Sequence, residues 1–158
     1  MSPATDIRHA TTADDVGRAR ALFVEYAQWL KVDLCFQGFT KELKALPGAY
    51  APPSGRLLLA GTTDAAFACI ALRPLESARL AEVKRLYVQP AHRGQRWGYR
   101  LAEKLIAEAR VIGYRELKLD TLEWMTSARV LYASLGFREC AAYYDNPLAG
   151  VVYMRLEL

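Results

Sequence analysis

The chain has 158 residues, of which 53% are hydrophobic and 24% are charged, with a formal net charge of +4 and a pI of about 9.0. This length and composition predict one soluble globular domain over residues 1–158, with a sizeable core. The scattered basic residues and short apolar runs argue against a nucleic-acid-binding or membrane-spanning protein, so we expect neither partner.

The first half of the chain predicts three strands and two helices. Apolar residues recur at helical spacing after Thr12, which is a favourable helix cap, and Pro47 and Gly48 end a second, shorter helix. The elements are a strand over 7–10, a helix over 13–31, a helix over 40–46, and strands over 56–62 and 65–72 joined by a turn at 63–64.

A fourth strand is predicted over 81–88, but its alternation of polar and apolar residues is imperfect. Glu82, Lys84 and Arg85 are all polar. This pattern fits a β-bulge, a device often found beside active sites, and it fits equally a strand whose start is exposed at the surface.

The second half of the chain predicts a long helix, a strand, a shorter helix and a final pair of strands. Gly113 and Gly136 follow the two helices, as expected of C-terminal caps. The elements are a helix over 101–112, a strand over 116–120, a helix from 126 or 127 to 135, and strands over 137–144 and 151–156. Together these segments predict a mixed α/β or α+β sheet with helices on its faces.

The three cysteines, Cys35, Cys69 and Cys140, are far apart and lie in apolar surroundings. They form no CxxC pair and no His/Cys cluster, so we expect reduced thiols and no metal site. The first fifteen residues contain no apolar signal-peptide core. These features predict a protein of the reducing cytoplasm.

The strongest functional signal is the segment 88–99, where a predicted strand is followed by a short loop and a helix. The first N–H groups of a helix have no internal partner and carry partial positive charge, so this arrangement suits a phosphate. Gly94 and Gly98 would allow a ligand to approach the backbone closely, and Arg93 and Arg96 would add cationic donors. We interpret the segment as a pyrophosphate cradle.

Two other nucleotide-binding classes fit this loop poorly. An ATPase-type phosphate loop ends in Gly-Lys-Ser or Gly-Lys-Thr, which is absent. A dinucleotide fingerprint needs a middle glycine, which is missing, and lies on the first strand of a βαβ unit, whereas a long segment without βα units precedes this loop. Only Asp120 lies near the place where that fingerprint has its acidic residue.

Two linked motifs carry a family resemblance. The first comprises LYVQP and RGQRWG within residues 86–98, and the second is ARVLYASLGF at residues 128–137. They resemble two signatures of the GNAT superfamily of acetyl-coenzyme A-dependent N-acetyltransferases, in the family's order and spacing, and the resemblance covers residues 6–158. The chain departs from the family at Arg96, where the loop usually has glycine, and at Met125, where many members have asparagine.

The resemblance implies a GNAT-like α/β (mixed α+β) fold, with a central, mostly antiparallel sheet of about seven strands and about four helices. The sheet would splay between strands four and five, and acetyl-coenzyme A (acetyl-CoA) would lie in the gap. The backbone of Leu86, Tyr87 and Val88 would bind its acetyl and pantetheine groups, and the Val88 N–H would donate to the thioester oxygen. The pyrophosphate would be held by the loop residues Arg93, Gly94, Gln95, Arg96, Trp97, Gly98 and Tyr99.

The resemblance also implies direct acetyl transfer to an amine, which needs a proton acceptor for the amine and a proton donor for the departing thiolate. Glu82, upstream of Val88 on the same strand, is the candidate base. Its alternative is a surface glutamate paired with Lys84 or Arg85. Tyr132, in the second motif, is the candidate acid, and its alternative is an aromatic ring that only packs in the core.

Other residues are secondary candidates. His92 could be a base by chemical type, but we expect it to be solvent-exposed at the loop entrance, and we expect His9 to be structural. The resemblance places the final hairpin beside the acceptor pocket, so its residues could line that pocket or form a plain turn. These residues are Tyr143, Tyr144, Asp145 and Asn146, and the same two alternatives hold for Phe36 and Phe39.

The sequence therefore predicts an N-acetyltransferase that transfers the acetyl group of acetyl-CoA to a primary amine of a small molecule or peptide. The alternative is a catalytically silent coenzyme A-binding sensor or interaction module of the same fold, which only Arg96 supports. A nucleotide-binding domain of another class is a further rival. The sequence indicates neither the acceptor nor the oligomeric state, for which a homodimer is one option.

Overall fold

Seven strands and four α-helices make up the part of the chain that the computed structural model describes, residues 4–34, 38–77 and 79–158. The strands are β1 (Asp6–His9), β2 (Arg56–Gly61), β3 (Ala68–Pro74), β4 (Leu80–Val88), β5 (Glu116–Leu122), β6 (Arg138–Cys140) and β7 (Val151–Glu157). The α-helices are α1 (Ala13–Leu30), α2 (Phe39–Ala45), α3 (Trp97–Ile112) and α4 (Thr126–Ser134), and short 3₁₀ turns lie at Gly48–Tyr50 and Pro90–His92. Cys35 and Phe36 lie outside the described residues.

The strands form one sheet in the order β1-β2-β3-β4-β5-β7-β6. Only β4 and β5 run parallel, and the other neighbouring strands are antiparallel. Within the described residues, β4 pairs with β5 only where Leu80–Glu82 faces Glu116–Lys118. Beyond Glu82 the two strands separate, so the predicted fold class and the predicted splay are both confirmed.

A β-bulge interrupts β4 at the start of the splay. Cys69 faces Tyr87 and Ala71 faces Lys84, so two residues of β4 oppose a single residue of β3. Arg85, within the bulge, has a φ of 62°. The polar residues of this strand are buried, with Glu82, Lys84 and Arg85 exposed by only 0%, 8% and 5%. The bulge interpretation is therefore confirmed, and the interpretation of a surface-exposed strand start is wrong.

Alternate residues of the central strands face two helical layers, because successive side chains of a strand point to opposite faces of the sheet. In β2, Leu58 packs in the core beneath α3, whereas Leu59 packs in the core beneath α1. The helix α3 contributes a buried stripe with the spacing expected of an amphipathic helix, formed by Leu101, Ala102, Leu105, Ile106 and Ala109. These two layers cover the two faces of the sheet over β2, β3 and β4.

The helix ends follow the predicted capping chemistry. The Thr12 hydroxyl accepts a hydrogen bond from the Asp15 N–H at 3.1 Å, which satisfies one of the free donors at the start of α1. Gly113 ends α3 with a φ of 111°, a conformation that glycine adopts without steric cost. The predicted helix boundaries at these two positions are confirmed.

The predicted strand over 137–144 is too long, because β6 ends at Cys140. The segment that follows leaves the sheet, and its tyrosines make long-range hydrogen bonds. The Tyr143 hydroxyl donates to Glu82 and the Tyr144 hydroxyl donates to Asp120. Side-chain partners elsewhere in the fold, rather than a strand ladder, therefore determine the path of these residues.

Candidate active site

A groove of about 470 Å³ opens where β4 leaves β5, and we call it the loop groove. It is lined by Trp29, Leu86, Tyr87, Val88, His92, Arg93, Gly94, Arg96, Trp97, Gly98, Tyr99, Met125, Ser127, Ala128 and Leu131. The structure thus brings together all of the predicted cofactor-binding residues except Gln95. The Gln95 side chain instead accepts a hydrogen bond from the Trp97 indole at 3.3 Å.

The end of β4 presents free backbone groups to this groove. Val88 faces Ala68 of β3, and the next residue, Gln89, donates its N–H to the Phe67 carbonyl at 2.8 Å. Because backbone direction alternates along a strand, the N–H and C=O of Val88 point away from β3, toward the splay. The Val88 carbonyl there accepts a hydrogen bond from Arg93 Nε at 2.9 Å. The strand edge is therefore available to a ligand that can accept from the Val88 N–H.

The loop leads into α3 earlier than predicted, because the helix begins at Trp97 rather than at Leu101. Its first turn closes with the Arg100 N–H donating to the Arg96 carbonyl at 3.0 Å, and no side chain of the described residues caps this end. The preceding N–H groups have no helical acceptor. A Cβ on Gly98 would lie 3.1 Å from Leu131 Cδ1, so this glycine also allows α3 and α4 to pack closely.

The backbone conformation of Arg96 is one that favours glycine, which is the residue usual at this position of the loop. Its φ and ψ are 65° and 17°, in the left-handed region that non-glycine residues adopt at a cost. Its side chain is exposed and its guanidinium lies 4.6 Å from the centre of the Tyr99 ring. The loop geometry is therefore retained, and the arginine side chain covers an aromatic ring of the loop groove.

Two further cavities continue from the loop groove through the splay. The splay cavity, of about 60 Å³, shares Leu86, Met125 and Ala128 with the loop groove. The outer cavity, of about 700 Å³, shares Lys84 and Arg85 with the splay cavity. A cofactor in the loop groove and an acceptor in the outer cavity could therefore meet in the splay.

Tyr132 lies in the wall of the splay cavity and is 7% exposed. Its ring packs edge-on against Phe137 at 5.5 Å, and its hydroxyl makes no hydrogen bond within the described part of the chain. Burial raises the pKa of this hydroxyl well above its usual value, with the charge of Asp120 acting in the same direction. Tyr132 is therefore a neutral, protonated group at the point where the two strands separate.

Glu82 lies behind the cavities, where β4 and β5 are still paired. Its Oε1 accepts from Arg73 Nε at 2.7 Å, and its Oε2 accepts from the Tyr143 hydroxyl. Lys84 Nζ lies 3.9 Å from Oε1. Both oxygens of this fully buried carboxylate are bonded, and Glu82 lines none of the three cavities.

Asp120 is the carboxylate that lines the splay cavity, together with Tyr132. Its Oδ2 accepts from the Tyr144 hydroxyl at 2.6 Å and from Asn146 Nδ2 at 2.9 Å. Sequence reasoning did not place Asp120 in the site. The signal was its position in β5 between the buried residues Leu119 and Thr121, at the open end of the strand.

Of the secondary candidates, Tyr144 lines the outer cavity and Asn146 lines the splay cavity. His92 is half-buried rather than solvent-exposed, because its ring stacks on Phe67 at 3.8 Å. His9 lies on β1, remote from the splay, with Nε2 2.6 Å from Glu108 Oε1.

Comparison with known proteins identifies the family, because residues 19–137 match the acetyltransferase (GNAT) family. The chain belongs to the GNAT family. It is 39% identical over 145 residues to an uncharacterized N-acetyltransferase of Schizosaccharomyces pombe, covering 91% of this chain and 89% of that protein. It is also 35% identical over 102 residues to an IAA acetyltransferase of Azospirillum brasilense, covering 63% of this chain and 67% of that protein.

Solved structures confirm the GNAT fold. A GNAT acetyltransferase of Staphylococcus aureus superposes with a TM-score of 0.80 at 18% identity, covering 98% of this chain and 99% of that chain. A Salmonella typhimurium protein solved with its cofactor acetyl-CoA superposes with a TM-score of 0.66 at 21% identity, covering 98% and 94%. The family match confirms the predicted resemblance, and the solved structures confirm the predicted fold class.

In the described ranges of this GNAT chain, no helix is long and apolar enough to cross a bilayer. No group of three or more His, Cys, Asp or Glu side chains in the described ranges is arranged to hold a metal ion.

Proposed function

We propose that this GNAT protein transfers the acetyl group of acetyl-CoA directly to a primary amine of a small molecule or peptide. The observation that supports the proposal is the open edge of β4 at Val88 in the loop groove, close to Leu86, which lines both the loop groove and the splay cavity. On this proposal the thioester would lie beside the Val88 N–H, and the amine would arrive through the outer cavity.

The residues of the loop groove fit coenzyme A. The uncapped N-terminus of α3 suits a pyrophosphate, because its N–H groups and the helix dipole both favour an anion. Arg93 and Arg96 add positive charge at the same place. Apolar walls from Leu86, Trp97 and Leu131 would cover the pantetheine chain. When bound, acetyl-CoA would supply the activated acetyl group.

Two groups of the chain would act on the acetyl transfer itself. The Val88 N–H would stabilise negative charge that develops on the thioester oxygen. Tyr132 would donate its proton to the departing thiolate, since its hydroxyl is protonated and lies at the splay.

The proton of the incoming ammonium needs a separate acceptor, and two carboxylates are candidates. Glu82, the residue predicted from the sequence, could receive it only through Tyr143, because both of its oxygens are bonded and it lines no cavity. Asp120 lines the splay cavity, and the two hydrogen bonds that it accepts within the described residues both go to Oδ2. The geometry favours Asp120 as the base and Glu82 as the residue that positions Arg73 and Tyr143.

The test of the proposed function is release of free thiol from acetyl-CoA over a panel of amines that includes amino acids, polyamines, monoamines and peptides. Thiol release that depends on one class of amine would support the proposal. A rise in melting temperature with coenzyme A, but no thiol release with any amine, would favour the silent coenzyme A-binding alternative. Greater stabilisation by ATP or NAD would contradict both.

The variant Gly98→Asp should weaken coenzyme A binding by more than about tenfold, or 1.4 kcal/mol. The new side chain would bring bulk and negative charge to the first turn of α3, where the phosphates are expected. Titration calorimetry with coenzyme A measures the effect. Because any Cβ at this position meets Leu131 Cδ1 at 3.1 Å, Gly98→Ala is the control for packing alone. Equal affinity of a folded Gly98→Asp variant and the parent would contradict the placement of the phosphates.

The variant Arg96→Gly should remain folded and keep its coenzyme A affinity within several-fold of the parent. Glycine relieves the left-handed backbone strain at a φ of 65°, while the lost guanidinium removes one exposed charge. Melting temperature and coenzyme A titration measure the two effects. A hundredfold gain in affinity would show instead that Arg96 obstructs the groove, which would strengthen the silent-module alternative.

A further inference from the structure

Two tyrosines from different layers of the fold line the splay cavity. Tyr132 belongs to α4 and packs in the core on the α3 side of the sheet, whereas Tyr26 belongs to α1, on the opposite face. The cavity volume of about 60 Å³ has room for a few water molecules or one small group, so the two side chains share one confined space. The proposed acetyl transfer gives a role to Tyr132 but none to Tyr26.

Neither of these two hydroxyls has a hydrogen-bond partner in the described part of the chain. The polar side-chain atoms that are sealed from solvent without a hydrogen bond are, among the described residues, Glu108 Oε2 and Arg155 Nε. The two tyrosine hydroxyls are not among these atoms, so both open onto accessible space, and the splay cavity is the cavity that both side chains line. Each hydroxyl can therefore bond to a group that enters this cavity.

Both hydroxyls are protonated at neutral pH. Burial raises the pKa of Tyr26 to about 12, although the positive charge of Arg85 opposes this shift. Burial also raises the pKa of Tyr132, and a negative charge on Tyr26 would raise it further, so the two hydroxyls lie within electrostatic reach of each other. Because a hydroxyl both donates and accepts, a tyrosine can receive a proton on its oxygen while it gives up its own.

The proposed acetyl transfer requires two protons to leave the amine. The first passes from the ammonium to Asp120 and later to solvent, which leaves a neutral nitrogen that attacks the thioester carbon. The C–N bond then forms, the C–S bond breaks, and its electron pair stays with sulfur. At this stage the nitrogen has one proton more than an amide, and Tyr132 becomes a phenolate when it protonates the sulfur.

We infer that Tyr26 is a further catalytic residue, which takes the second proton from the nitrogen and passes its own proton to Tyr132. The transfers occur together and balance: a proton moves from nitrogen to Tyr26, one from Tyr26 to Tyr132, and one from Tyr132 to sulfur. Both tyrosines end the reaction neutral, so no phenolate remains in the confined cavity, where its charge would be costly. The inference rests on the proposed acetyl transfer and adds a residue to it.

A double-mutant cycle with Tyr26→Phe and Tyr132→Phe tests the inference. Tyr26→Phe deletes the hydroxyl and keeps the ring, whose centre lies 6.3 Å from that of Trp29 and 6.0 Å from that of Tyr87. With acetyl-CoA already bound, we expect the single-turnover rate with an accepted amine to fall by about tenfold or more, and amine affinity to change by less than about threefold. In the Tyr132→Phe background the same substitution should cost less than about threefold, because the relay has lost its recipient.

Tyr114→Phe is the matched control for the cycle. The Tyr114 hydroxyl donates to the Ser54 carbonyl away from the splay, so the single-turnover rate of this variant should equal that of the parent. A full rate in Tyr26→Phe would overturn the inference. An equal fold loss in both backgrounds would also overturn it, since the hydroxyls would then act independently, and so would a loss confined to amine affinity.

A solvent isotope experiment on the unmodified protein is a second test that needs no variant. Because several protons move together, the single-turnover rate should fall along a bowed curve as the fraction of deuterium oxide rises. A straight line, or no isotope effect, would overturn the inference.

The proposed function and the inference fail differently. If no amine of the broad panel releases thiol, although coenzyme A stabilises the protein, the proposed function fails and the inference fails with it. If the parent acetylates an amine and Tyr132→Phe is impaired, but Tyr26→Phe keeps the full rate, the proposed function stands and only the inference fails.

Discussion

Tyr132→Phe is expected to reduce turnover by roughly 10²–10⁴-fold, the usual contribution of one general acid, without loss of the fold or of acetyl-CoA binding. The substitution deletes the hydroxyl and keeps the ring that packs edge-on against Phe137. Because burial raises the pKa of this hydroxyl, it is protonated across the neutral range and can donate to a departing thiolate. The measurements are kcat with an accepted amine, coenzyme A affinity and melting temperature.

A second tyrosine provides the matched control. The Tyr114 hydroxyl donates to the Ser54 carbonyl at 2.6 Å, away from the splay, so Tyr114→Phe should change stability by about 1 kcal/mol and leave kcat unchanged. Full turnover in Tyr132→Phe would show that Tyr132 is a packing residue and that the thiolate leaves without its help. A loss of coenzyme A affinity equal to the loss of kcat would place the hydroxyl in cofactor binding instead.

The parts of this fold that the sequence predicts are those determined locally. The strand, loop and helix at residues 80–112 follow from an apolar strand, a turn with glycine and an amphipathic stripe, each of which is a short-range pattern. The helix α4 likewise follows from its apolar spacing and from Gly136. The separation of β4 from β5 is predicted only by the family resemblance, because no local sequence pattern indicates that two parallel strands separate.

The burial of the polar residues of β4 could not be read from their own segment. Charged residues on a strand usually indicate solvent, and burial becomes tolerable only when partners arrive from elsewhere. Arg85 is neutralised by Glu42, 43 positions away, and Glu82 is bonded by Tyr143, 61 positions away. The sequence of a single strand does not contain those partners. It therefore supports a β-bulge and a surface-exposed strand start equally.

The assignment of Asp120 to the site has the same physical origin. Its partners Tyr144 and Asn146 lie 24 and 26 positions further along the chain, in a segment that the sequence predicts as a strand and turn. The hydrogen bonds that draw this segment away from the sheet also place it beside the splay. The error in the length of β6 and the omission of Asp120 therefore have one cause.

Asp120→Asn is expected to reduce turnover by about 10²–10⁴-fold at neutral pH, because it removes the charge that would accept the proton of the incoming ammonium. The deficit should shrink as the pH approaches the pKa of the acceptor amine, since more of the amine is then already deprotonated. The measurement is the pH profile of kcat/KM for the parent and the variant. A constant deficit at every pH would assign Asp120 to binding of the acceptor rather than to proton transfer.

Glu82→Gln is the companion variant that decides between the two carboxylates, because it removes the charge of Glu82 and keeps the shape of its side chain. Since Glu82 is fully buried and holds Arg73, whose side chain is 41% exposed, we expect a loss of stability of about 1–3 kcal/mol, measured by denaturant unfolding. Its pH profile should keep the shape of the parent's, because Glu82 lines none of the cavities that an amine could enter. A pH-dependent deficit in Glu82→Gln, together with normal turnover in Asp120→Asn, would reverse the assignment and make Tyr143 the relay between the amine and Glu82.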